Sequence, residues 1–108
     1  MSIDIKSILT GLEGKIADLA KTTFKDFSNQ ATDDGKQLLS IIKDDLIRWT
    51  QELADGKITK ADFETLLIGQ KDLAEMSALK EAGLTLARID EFKNKIFGLI
   101  VDTVTSLI

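Results

Sequence analysis

The chain contains no cysteine, no histidine, no proline and no tyrosine, and only seven glycines among its 108 residues. Each absence removes a class of chemistry or of fold. Without cysteine there is no disulfide framework, thiolate nucleophile or sulfur-ligated metal. Without either cysteine or histidine, the usual zinc, haem and copper ligand sets cannot be assembled. The Glu-x-x-His pairs of di-iron bundles and the Ser–His and Cys–His nucleophilic pairs are excluded with them. No Walker-type or dinucleotide glycine motif is present either. No catalytic, cofactor-binding or metal-ligating residue is therefore expected, and the chain reads as non-enzymatic.

Scarcity of turn formers also bears on the fold. A chain without proline, and rich in Leu, Ala, Lys, Glu and Asp, is expected to be almost entirely helical. Five Phe and one Trp are the only aromatics, which argues against an all-β arrangement. Apolar residues make up 44% and charged residues 30%, the balance of a globular domain, and the length suits a single domain over residues 1–108.

Charge of one sign is never concentrated. The net charge of −4 is spread as ten acids and eight bases over residues 1–58, then eight and six over 59–108. With no basic tract to displace counterions and no aromatic-basic interleaving to stack bases, no nucleic-acid partner is expected. "MSIDIKSILTGLEGK" lacks a continuous apolar stretch and carries acids, unlike a secretory signal. No run of 18 apolar residues occurs. A soluble, cytoplasmic protein is the expectation.

What is present is helical periodicity. Ile5, Ile8, Leu9, Leu12, Ile16, Leu19, Thr23 and Phe27 recur at three- and four-residue steps, predicting a first helix over about residues 3–30. After the polar stretch "SNQATDDGK", Thr32 is the expected N-cap, with Asp33 and Asp34 in the first turn. The second helix, about 33–55, carries Leu38, Ile42, Leu46, Trp49 and Leu53 on its face. Gly56 stands where a left-handed residue ends a helix. Thr59 and Asp62 form a capping-box pattern, with Ile58 and Phe63 in staple positions.

From Lys60 onward the reading turns on Gly83. At about 100° per residue, Leu67, Ala74, Ala78, Ala82, Ile89, Phe92, Ile96, Ile100 and Leu107 lie within about 60° of one direction. The stripe keeps its phase across Gly83, which favours one long third helix over about 60–107. The alternative is an up-down-up-down four-helix bundle with a turn at Gly83, where "AGLT" supplies a C-terminal glycine and a threonine cap. Against the turn stands Arg88, a cation in what would be a helix's first turn.

A rod of 60–107 would reach about 70 Å, whereas the two preceding helices form a hairpin of about half that length. The remaining apolar face would then need a partner. The nine stripe residues are the expected interface, with a homo-oligomer, preferably a dimer with coiled-coil-like contacts, favoured over another helical protein as partner. Residues 96–108, apolar nearly all round, allow a membrane-active or lipid-binding alternative. Asp102 in their midst, with no cation after it, weighs against lipid. "QELADGKITKADF" resembles the second half of an EF-hand loop. Leu53 at a ligand position and Asp62 in place of the longer glutamate leave calcium unexpected. The expected role is an interaction or assembly module that works through helix faces.

Overall fold

A computed structural model describes residues 4–107. Among these residues the fold is all-α, with five α-helices and one turn of 3-10 helix. Helix α1 (Ile5–Thr23) begins at Asp4, whose carboxylate accepts from the Ser7 N–H at 3.1 Å and from its hydroxyl at 2.7 Å. The predicted first helix ran from residue 3, which lies outside the described residues, to residue 30. It ends instead at Thr23, where Phe24 turns to extended backbone. Buried Phe24 packs edge-to-face on Phe92 of the last helix, with ring centroids 5.1 Å apart. That tertiary contact decides where the chain reverses.

Helix α2 (Ser28–Ala54) consequently starts earlier than expected. Thr32 is not its N-cap but a half-buried residue inside the helix; the flanking residue is Phe27, which makes no side-chain cap bond. "NQATDDG" is helical because Asp34 and Gly35 face the core. A Cβ on Gly35 would lie 2.5 Å from Ile16 Cγ2, so the small residue lets α1 and α2 cross closely. The end of α2 follows its sequence. Gly56 has φ +75°, and the N–H groups of Gly56 and Lys57 donate to the carbonyls of Leu53 and Glu52. This is a Schellman motif, which satisfies carbonyls the helix end leaves free.

Helix α3 (Lys60–Ile68) opens on the expected capping box. Asp62 N–H donates to the Thr59 hydroxyl at 3.1 Å, and Thr59 N–H donates to the Asp62 carboxylate at 3.0 Å. The single long helix over 60–107 does not form. After α3 come a turn at Gly69, a 3-10 turn (Lys71–Leu73), a short α4 (Ser77–Glu81) and then α5 (Leu86–Leu107). Ala74 is extended and Met76 is left-handed, with φ 53° and ψ 49°. Gly83 is left-handed at φ +94°, and Gly83 and Leu84 N–H groups donate to Lys80 and Leu79 in a second Schellman motif. Thr85 then caps α5, accepting from Arg88 N–H at 3.3 Å. The turn at Gly83 held as the alternative is thus present, together with a second break at Ala74–Met76.

Folding back has a visible reward. Ala74, Met76 and Leu79 are buried against the hairpin, and the body closes to 44 × 23 × 19 Å. A rod of about 70 Å would leave roughly a third of its length beyond that body. The core runs along the hairpin and α5, with Leu12, Ile16, Leu38, Ile42, Leu46, Phe63, Leu67, Leu79, Phe92, Ile96, Ile100 and Val104 fully enclosed.

Candidate functional site

The stripe residues expected to form an interface divide into three groups. Leu67, Ala74, Ile89, Phe92, Ile96 and Ile100 are buried within one copy of the chain. Ala78 and Ala82 are half-buried. Leu107, in the last turn, is 61% exposed. The face that would have met a partner from a straight rod is used mainly inside the chain's own core. The apolar C-terminal stretch is similarly placed: Ile96, Phe97, Ile100 and Val104 are core residues, and Ile108 lies outside the described residues.

The large apolar side chains left to solvent are different ones: Ile41, Leu66, Ile68, Leu73, Leu86 and Leu107. Ile68 borders a largely apolar concavity, a groove of about 340 Å³ between α3 with its following turn and α5. Phe97, Gly98 and Val101 line it from α5, with Asn94 and Asp102 at one rim and Glu64 and Lys71 at the other. Lys71 reaches across to Asp90 at 2.7 Å, bridging the 3-10 turn to α5 beside the groove. Gly98 leaves its floor open, since a Cβ there would meet nothing within 4 Å.

A second concavity, about 170 Å³, lies beside Asp34 and is lined by Gln37, Ile41, Leu73 and Met76 among others. Its acid is already engaged. Asp34, 3% exposed, accepts from the N–H of Ala78 at 3.1 Å and of Leu79 at 2.8 Å, capping α4 from α2. Two free donors and the positive end of α4 thus meet a buried negative charge. Sequence reasoning put Asp34 in a solvated first turn. Its signal was its position four residues before Leu38 and eight before Ile42, on the apolar stripe. A third concavity, about 240 Å³, runs between α1 and α2 among Lys6, Lys36, Lys43, Glu13, Leu9 and Leu39.

The surface charges serve as helix supports. Arg48 pairs with Asp45 at 3.2 Å and lies over the Trp49 ring. Lys71 pairs with Asp90, and Lys95 pairs with Glu91 at 3.8 Å. Arg88 sits over the Phe24 ring, 5.2 Å from its centroid. Two carboxyls are held below their ordinary range. For Asp4 the Ser7 hydroxyl is the main cause, and for Asp62 the Thr59 N–H is. Both are caps, outside the three concavities. Among the described residues, no group of three or more acids is placed to hold a metal ion, and no helix is long and apolar enough to cross a membrane. In comparisons with known proteins, no family model, curated protein or solved structure matches the chain.

Proposed function

We propose that the protein is a non-enzymatic helical assembly module that pairs with a second copy along the open flank of α5. The observation that carries this reading is the groove beside α5. Partly exposed Ile68 and Val101 flank Gly98, whose missing side chain lets another helix backbone come close.

The flank is self-complementary. In an antiparallel pair of α5 helices related by a two-fold axis at Gly98, each residue faces the one equally far on the other side. Asn94 of one copy then stands opposite Asp102 of the other, an amide donor facing a carboxylate acceptor. Val101 faces the aliphatic stem of Lys95. Charged residues at the rim and apolar ones in the middle are the arrangement of a protein interface. The lipid alternative would have to draw on Ile96, Phe97, Ile100 and Val104, whose burial in the core favours assembly over lipid.

Gly98→Gln tests the reading without endangering the fold. It fills open space and removes a glycine from a helix interior, so Tm is expected to rise by about 3 °C or more. The same side chain blocks the groove. Light scattering from low to several hundred micromolar should show a wild-type dimer that separates rapidly on dilution, and a Gly98→Gln chain that lacks this rapidly separating dimer. A wild-type chain without such a dimer, or a variant that forms it equally well, overturns the proposal.

A further inference from the structure

The connection at Gly83 has properties beyond those of an ordinary turn. Helix α4 has only five residues, too few to persist without support. It ends one turn before α5, and the stripe keeps its angular phase between them: Ala78 and Ala82 fall within about 20° of the bearing of Ile89. The start of α5 is weakly made. Its first turn contains no acid, Arg88 sits where the dipole disfavours a cation, and the Thr85 cap bond is 3.3 Å long. In a helix continuous through this point, all three disadvantages vanish. Neither Gly83, whose φ is +94°, nor any proline stands in the way.

We infer that Gly83–Thr85 is a hinge about which α5 exchanges between two copies of the chain. Opening joins α4 and α5 into one helix over 77–107, about 46 Å long, which carries α5 off its own hairpin. Asp34 keeps the α4 end anchored, because its bonds to Ala78 and Leu79 lie before the hinge. The released α5 then makes on a second copy the contacts it makes at home. These are the Phe24–Phe92 edge-to-face pair, Arg88 over Phe24, Lys15 to Thr103 and Lys71 to Asp90. Since the same contacts are rebuilt in both arrangements, the balance between them is set by the hinge and by protein concentration.

The exchange is separate from the flank contact and stands or falls independently of it. A flank dimer separates rapidly on dilution, whereas exchange requires α5 to leave a core, so an exchanged dimer persists. Two substitutions move the hinge in opposite directions. Leu86 is the first residue of α5 and 71% exposed. Proline is accepted at a first helical position but breaks a helix interior. Leu86→Pro is therefore compatible with the closed chain and incompatible with the joined helix. Gly83→Ala acts the other way, since a Cβ there meets nothing and only the left-handed backbone is penalised.

Full-length protein would be refolded from denaturant at several hundred micromolar, diluted to low micromolar and followed by light scattering over hours. The expected result is a slowly decaying dimer in the wild type. Gly83→Ala should raise its fraction about tenfold. Leu86→Pro should abolish it while keeping the wild-type helical circular dichroism, with Leu86→Ala as the control that retains it. Gly98→Gln should leave this slow dimer intact. A Leu86→Pro chain that forms the slow dimer, or a Gly83→Ala chain that does not enrich it, sinks the inference. Should Leu86→Pro fail to fold, the Gly83→Ala result alone decides.

Discussion

The hairpin of α1 and α2 and the segment from α3 to α5 are written in the same idiom yet fold differently. Both carry an apolar face at helical spacing, both lack proline, and both have dispersed charge. In the hairpin the periodicity becomes helices of 19 and 27 residues. In the second part an equally unbroken stripe is divided into α3, a 3-10 turn, α4 and α5. The difference lies in what each stripe has to lie against. The two hairpin helices, roughly 28 and 40 Å long, lie against each other within the length of the body, whereas a straight second half would have outrun both. Helical phase reports which side chains share a face. It carries no information on whether a surface of equal length is there to receive them.

The bond network around Asp34 is one tie between the two parts, and breaking it has the largest expected effect. Asp34→Ala leaves two donors at the start of α4 without acceptors, one of them fully buried, and should cost about 3 kcal/mol. Asp34→Asn, which retains one acceptor, should cost about half as much. Chemical denaturation measures both. Loss of the tie should also raise amide exchange in residues 74–85 while that in α1 and α2 is little changed, since stability is not uniform across a structure. Equal acceleration in both parts would show that they are a single cooperative unit.

Within the hairpin, Gly35→Ala is next. Its new methyl would sit 2.5 Å from a branch of buried Ile16, so the helices must separate, costing about 2 kcal/mol by overpacking. A thermal melt showing no loss would mean that α1 can shift to accept it. By contrast Gly83→Ala, placed in open space, should act on the backbone alone.

The smallest effect is electrostatic and confined to the second part. The Asp62 carboxyl is held below its ordinary value, chiefly by the Thr59 N–H. A depressed acid contributes stability that is present above its unfolded-state pKa and lost as pH falls through the lower folded-state value. Acid titration should therefore fray the start of α3 only in strongly acidic solution, and Asp62→Asn should remove that step. Far-UV circular dichroism between neutral pH and pH about 2 would follow it. A step centred above the ordinary carboxylate range would contradict the assignment.

These contrasts also show which parts of the molecule were legible in advance. Motifs whose partners lie within a few residues were readable: the Thr59–Asp62 box and the left-handed Gly56, whereas the glycine–threonine pattern at Gly83–Thr85 was visible but outweighed by the unbroken phase of the stripe. The core faces of α2 and α5 were readable for the same reason, since periodicity is local. Asp34 was not, because its partners lie 44 and 45 positions later. Nor was the reversal at Phe24, which depends on Phe92. The candidate surface was legible only in part. The stripe led to α5, but six of its nine residues are buried in the fold, and the open flank beside them is defined only by how α3 packs next to α5.

Local sequence alone determined that this protein is helical, which faces are apolar, how several helices begin and end, and which ligand sets it cannot build. Tertiary structure decided where the long stripe is interrupted and which apolar groups remain outside. The physical reason is one of scale. Preferences at a turn or cap are worth about 1 kcal/mol or less, and burying Met76, Leu79 and a doubly bonded Asp34 outweighs them only once distant segments of the chain have met.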